Sequence, residues 1–191
     1  MSPNFEAPDD QLAATAVAGD ERAFARLIAR HKDALYRFIR RYTGNPDEAY
    51  DLLQETFAAA WTALKRYDAA RSFPTWLRSI ALNKCRDWSR RRAVRRWLTR
   101  SDPLDSQAGL NLTDDTPSPE AAVLDQQRLS RLDRAVANLP QGLKEPLILT
   151  ALEELSQEEA GRILGLTAKA VELRVYRARK ALAEALALDD I

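Results

Sequence analysis

Charge along this chain changes sign at one place, and that place divides the fold. From Lys84 to Arg100 there are eight basic residues and one acid, Asp87; from Ser101 to Asp125 there are six acids and no base. Pro103, Gly109, Pro117 and Pro119 fall at the reversal, among Ser, Thr and Asp. Such a stretch carries no periodic apolar face, so a single core cannot run through it. Residues 101–119 therefore read as a flexible acidic linker. Residues 1–19 are an N-terminal extension, and 20–100 and 120–191 are two small helical domains. If flexible, the linker has an average span of roughly 25 Å and an extended limit of about 65 Å.

Composition narrows the function. An apolar fraction of 46% against 30% charged residues rules out a largely disordered chain. One Cys and one His exclude a disulfide framework, a Cys/His zinc cluster and a haem-attachment motif. No run of about 18 apolar residues is present, so direct membrane insertion is not expected. Met1 to Asp10 is acidic and short of hydrophobics, unlike a signal peptide. A cytosolic protein follows.

Strand alternation is almost absent, while apolar residues recur at helical spacing. Asp20 is placed to cap a helix with Phe24, Leu27, Ile28, Leu35, Phe38, Ile39 and Tyr42 inward. Gly44-Asn45-Pro46 is a stop followed by a start, Asn45 as N-cap and Pro46 at the first helical position. The next helix sets Tyr50, Leu53, Phe57, Ala60, Trp61 and Leu64 on one face. After a loop from Tyr67 to Phe73, Pro74 opens a third helix with Leu77, Ile80, Ala81, Cys85 and Trp88 inward. Three such stripes pack as a bundle.

Beyond the linker, Glu120 to Asn138 reads as a helix ended by Leu139-Pro140, and a short helix follows from about Lys144 to Leu152, with Pro146 setting its start. Ser156-Gln157-Glu158-Glu159 is a capping box. It opens a helix burying Ala160, Ile163 and Leu164, with Gly165 as C-cap. Thr167 caps a last helix whose inner stripe is Val171, Val175, Ala178 and Leu182. Short helix, Gly turn and longer basic helix is the sequence form of a helix-turn-helix.

Three surfaces stand out. With its apolar stripe inward, the third helix points Thr75, Ser79, Asn83, Arg86 and Arg90 outward, and this stripe runs into Arg91, Arg92, Arg95 and Arg96. Hydroxyls, an amide and guanidiniums in a line suit a phosphate backbone with some base edges. The loop before it brings Tyr67, Arg71 and Phe73 to one end, with Trp76 nearby, a set able to stack on and hold an unpaired base. The alternative is a solvated charged face, with Tyr67, Phe73 and Trp76 sealing the core. On the last helix, Thr167, Ala168, Lys169, Glu172 and Leu173 occupy the positions that read bases, and Arg174 and Arg177 can hold phosphates or a guanine. The alternative there is an ordinary amphipathic helix with a basic outside. Asp47, Asp51, Gln54 and Glu55 form an acidic-polar stripe, either solvated or docked on a basic protein surface. His31 reads as a core-edge histidine and Cys85 as a packing residue.

These segments resemble the extracytoplasmic-function (ECF) sigma factors of bacterial RNA polymerase. Asp47-Glu48-Ala49-Tyr50-Asp51-Leu52-Leu53-Gln54-Glu55-Thr56-Phe57 with Trp61 is similar to the family's D-A-E-D-L-x-Q-E-x-F…W signature. Phe73-Pro74-Thr75-Trp76-Leu77 and Ile80-Ala81-Leu82-Asn83 are similar to F-x-x-W-L…I-A-x-N. Leu155-Ser156-Gln157-Glu158-Glu159-Ala160 through Ala178-Arg179 is similar to the closing L-S-x-x-E-I-A…R-A-R. The three lie in the family's order with a linker between.

The resemblance implies an all-α protein that is not an enzyme, with no cofactor and no small-molecule substrate. Its implied partners are core RNA polymerase, promoter DNA and an anti-sigma factor able to hold it at the inner membrane of a bacterial cell. Tyr67, Arg71, Phe73, Thr75, Trp76, Ser79, Asn83, Arg86 and Arg90 would then meet the −10 element, Thr167 to Arg177 the −35 element, and Asp47, Asp51, Gln54 and Glu55 the polymerase clamp. The acidic linker would thread the polymerase channel. Glu172-Leu173 departs from the Lys-Ser of many members; Glu172 can accept from cytosine but repels phosphate. A stand-alone helix-turn-helix regulator and a helical adaptor are the competing classes. The regulator would need a dimer interface and does not account for the acidic stripe or the Tyr67–Phe73 loop; failure of DNA to crosslink near Asn83 or Arg177 in the polymerase complex would favour the adaptor.

Overall fold

A computed structural model describes residues 7–68, 71–99 and 131–188, and the described residues are helical with short connections. The linker at 101–119 lies outside them. The first domain comprises α1 (Asp9–Val17), α2 (Glu21–Thr43), α3 (Pro46–Ala63), a 3-10 turn (Leu64–Arg66) and α4 (Phe73–Thr99). The second comprises α5 (131–138), α6 (Gln141–Leu147) running into a π-turn (Ile148–Leu152), α7 (Gln157–Leu164) and α8 (Ala168–Leu188).

Local chemistry sets the helix ends. The Asp20 carboxylate accepts from the amides of Arg22 and Ala23. Asn45 accepts from Glu48 N behind Pro46, and Gly44 closes α2 in the left-handed region. Inside the bundle, Leu27, Phe38, Ile39 and Tyr42 of α2 meet Leu52 of α3 and Leu77, Leu82 and Cys85 of α4, all nearly inaccessible. Burying each large side chain contributes about 1.5–3 kcal/mol. Burial also pushes the Cys85 thiol far above its usual range, so it packs and does not react.

Four expectations need correction. The segment assigned as an N-terminal extension contains α1, whose Leu12, Ala13 and Ala16 are core residues. Asp9 of that helix bonds His31 Nε2 at 2.7 Å and Arg30 at 2.5 Å, which explains the core-edge histidine. In α3 the buried face is Ala49, Leu52, Leu53, Thr56 and Ala60, and Tyr50 and Trp61 are exposed. Small residues let α2 and α3 approach, and Trp61 lies outside against Phe24, ring centroids 4.9 Å apart. Third, α4 begins at Phe73, one residue before Pro74. Fourth, α6 starts at Gln141 after Pro140, so Pro146 is internal. A proline there donates no helical hydrogen bond, and the chain widens into the π-turn directly after it.

The two domains touch. Gly44 and Ala137 are so close that a Cβ at position 44 would lie 2.7 Å from the Ala137 Cβ. Arg78 Nε of α4 donates to Glu153 at 2.9 Å. Arg86 donates to both carboxylate oxygens of Glu145, from Nε at 2.9 Å and Nη2 at 2.6 Å.

Candidate nucleic-acid interface

The helix-turn-helix is built as its local sequence requires. Ser156 Oγ accepts from Glu159 N while the Glu159 carboxylate accepts from Ser156 N, completing the capping box. The Ser156 amide, donating to the carboxylate, pulls the Glu159 carboxyl below its usual pKa. Gly165 ends α7 with φ 68°, and Thr167 Oγ1 accepts from Ala170 N to start α8. Val171, Val175, Ala178 and Leu182 are buried. Lys169, Glu172, Leu173, Tyr176 and Arg177 are exposed on the opposite side, while Ala168 and Arg174 are half-buried. Lys169 Nζ donates to Glu172 at 2.8 Å, so the unusual acid of this helix is paired on its own surface.

Sequence reasoning missed Gly161. A Cβ there would lie 2.6 Å from the Leu166 carbonyl oxygen. The turn folds back tightly on α7, with Leu166 N donating to Gly161 O at 2.9 Å. A glycine inside a short helix was the available signal, because propensity alone disfavours it there.

The α4 face is less open than its stripe predicts. Asn83 and Arg90 are exposed, and Arg90 pairs with Asp87. Thr75, Trp76 and Ser79 are half-buried. Together with Arg71 and Ser72 they line a cleft of about 420 Å³, whose opposite wall is Glu159, Arg162 and Ile163 of α7. The hydroxyls are engaged locally, Ser72 Oγ donating to Thr75 Oγ1 at 2.8 Å and Ser79 Oγ to Trp76 O at 2.6 Å. Arg86 is taken by Glu145.

The loop is a braced aromatic cluster. Tyr67 OH donates to Arg71 O at 2.7 Å, closing the loop, and lies 3.3 Å from Asp10. Burial first and Asp10 second push the Tyr67 hydroxyl up to about 12. Phe73, expected as part of a base-holding surface, is 1% exposed. It packs against His31, Tyr67 and Trp76 with centroids 5.5–5.7 Å away. It braces the loop from beneath and presents no face to a base in this arrangement. Among the described residues of the loop, Asp68, Arg71 and Ser72 are exposed.

On the far side of the bundle, Asp47, Asp51 and Gln54 are exposed along α3. Glu55 is tethered to α4, 3.4 Å from Lys84 and 3.9 Å from Arg91. Glu48, between them, accepts from the Trp88 indole at 2.5 Å and fixes α3 against α4.

Residues 27–95 match the family model of sigma-70 region 2, and residues 129–182 that of sigma-70 region 4. The chain is 41% identical over 187 residues to the RNA polymerase sigma factor CnrH of Cupriavidus metallidurans, covering 97% of this chain and 98% of that one. It is 31% identical over 172 residues to the ECF RNA polymerase sigma factor SigW of Bacillus subtilis, covering 88% and 91%. The structure of CnrH in complex with the cytosolic domain of CnrY superposes with a TM-score of 0.69 at 36% identity, covering 95% of this chain and 98% of that one. Two helical domains in this order, matched over nearly the whole chain, place it among the ECF sigma factors of bacterial RNA polymerase.

Proposed function

We propose that this sigma factor, a non-enzymatic initiation factor, docks on core RNA polymerase and directs it to promoters by holding two DNA elements with two separate surfaces. One observation supports this most: a capped helix-turn-helix with an exposed basic helix shares the chain with a second, independent stripe of amide and guanidinium groups on α4. In this reading α8, from Thr167 through Arg177, reads the −35 element. Asn83, Arg86 and Arg90, with Arg71 at the loop, support the opened −10 strand. Asp47, Asp51, Gln54 and Glu55 dock on the polymerase clamp. Turning a base out of the stack costs a few kcal/mol. Tethering two modest contacts on one scaffold raises the effective concentration of the second to the mM range. Opening then needs no nucleotide hydrolysis, only tighter binding to the opened state.

CnrH is seen with the cytosolic domain of CnrY, and a comparable anti-sigma partner fits this chain. A cytoplasmic location follows from that role; no described helix is long and apolar enough to cross a membrane.

Run-off transcription with purified core polymerase on a library of candidate promoters tests the function. Addition of the chain creates new start sites; identical transcripts with and without it would end the proposal. Asn83→Ala is expected to lower run-off product about tenfold, the equivalent of one hydrogen bond to a charged group, while polymerase affinity stays within twofold of about its starting value. Equal loss in both would remove Asn83 from the strand-binding face. Glu172→Lys is expected to change the preferred −35 sequence, since a carboxylate that accepts from cytosine becomes a donor to guanine. Selection over randomised −35 elements reads this directly, and an unaltered profile would show that Glu172 is not a reader.

A further inference from the structure

Packing fixes which way α8 faces. Val171, Val175, Ala178 and Leu182 are buried in the second domain, so the opposite side of the helix is held toward solvent. Helical spacing puts Lys169, Glu172, Leu173, Tyr176, Arg177 and Lys180 on that side, all of them exposed. Two of these are apolar in body. Leu173 is 47% exposed and Tyr176 67%, and at this separation they are neighbours on the helix surface. A lone exposed leucine needs no explanation; a leucine joined to a tyrosine in the middle of a charged face does. Lys169 donates to Glu172 at 2.8 Å, and Lys180 lies 4.0 Å from Glu184. The acids of this face are therefore paired, and bases outnumber them.

That charge selects the partner. Basic residues around an apolar centre complement a polyanion, and the second helix of a helix-turn-helix enters the major groove by its N-terminal part. Leu173 lies roughly 7.5 Å along the axis from Ala168, inside that part. Most of what a base pair shows in the major groove is polar: acceptors on guanine, adenine and thymine, amino donors on adenine and cytosine. One group is apolar, the thymine C5-methyl. Against a polar edge Leu173 would displace water and return no hydrogen bond. Against the methyl it gains, because two apolar surfaces leave water together.

We propose that Leu173, flanked by Tyr176, reads the C5-methyl group of a thymine, and that the −35 element bound by this chain carries a thymine at the position facing the second turn of α8. This rests on the assignment of α8 to the −35 element made above. A methyl contact works by burial and carries no charge. It therefore leaves the salt dependence of binding unaltered, unlike an arginine on a phosphate, whose loss lowers the slope.

The test uses holoenzyme assembled from core polymerase and the full chain. Sequences selected from a randomised −35 element are remade with deoxyuridine in place of each thymine in turn, which removes the methyl and keeps every base-pairing group. At one position this is expected to weaken binding about fourfold, the equivalent of one methylene taken from water, with the salt slope unchanged. Leu173→Ala is expected to lose the same factor on the thymine duplex and to be indifferent to deoxyuridine at that position. Leu173→Met, which keeps an apolar end, retains the methyl dependence. Because Leu173 is exposed, both variants melt like wild type, which separates reading from folding. Selected sequences whose thymines all accept deoxyuridine would overturn the proposal, as would a Leu173→Ala variant still sensitive to the methyl. Weaker core-polymerase binding by Leu173→Ala in the absence of DNA would also overturn it, by making the patch a protein contact. Absence of any enriched −35 sequence would bring down the assignment of α8 and this proposal together, whereas an enriched sequence without methyl dependence brings down this proposal alone.

Discussion

Phe73→Ala is expected to destabilise the first domain by about 3–5 kcal/mol, the usual cost of removing a buried aromatic ring. Phe73 opens α4 beneath the loop, is 1% exposed, and touches His31, Tyr67 and Trp76. Truncation leaves three aromatic rings around a void and frees the loop that carries Arg71. A small domain has only about 5–15 kcal/mol in hand, so thermal denaturation should shift down by about 10 °C or more. Phe73→Leu, which keeps most of the volume, should recover much of the loss. Had Phe73 been a base-stacking residue, Ala would abolish strand binding and leave the melting temperature alone. That outcome would return Phe73 to the surface.

Gly161→Val is expected to unfold the helix-turn-helix at growth temperature while the first domain stays folded. Helix propensity predicts the opposite sign, since glycine inside a helix is worse than alanine by about 0.5–1 kcal/mol. Sterics decide the matter. The first added carbon would lie 2.6 Å from the Leu166 carbonyl oxygen in the turn and 3.7 Å from Ala168 N at the start of α8, both backbone atoms. Overpacking costs about 1–3 kcal/mol where side chains can yield, and more is expected where backbone must move. The second domain has a small core, centred on Ile148, Leu149, Ala160, Val171 and Ala178, and cannot absorb that. Upstream-element binding should be lost, and the second domain's share of the helical signal, the smaller of the two, should melt early. A variant that melts like wild type would show that the turn relaxes freely.

The second domain was the most legible part of this chain. Its capping box, left-handed Gly165, Thr167 cap and inner valine stripe are all short-range features, and each stands where the residue spacing places it. The α2 stripe was legible for the same reason. The inner face of α3 was not, because ranking residues by hydrophobicity favours Tyr50 and Trp61 over Ala49 and Thr56, whereas close helix packing favours the small ones. α1 has nine residues and three small buried contacts, too little periodicity to recognise without the helix that it rests on. The candidate site divides likewise. Thr75, Ser79, Asn83, Arg86 and Arg90 share one side of α4 by spacing alone, but their accessibility depends on what packs against them.

By itself the sequence determined two helical units, the caps of α2, α3, α7 and α8 and the apolar stripes of α2 and α8, because those depend on residues within a turn or two of each other. Tertiary structure alone decided that Phe73 lies inside and that Arg86 and Tyr42 meet Glu145. Those partners lie up to 59 residues away along the chain for Arg86 and 103 for Tyr42. Periodicity orients a side chain about its own helix axis; only the packed chain places an opposing charge or ring in front of it.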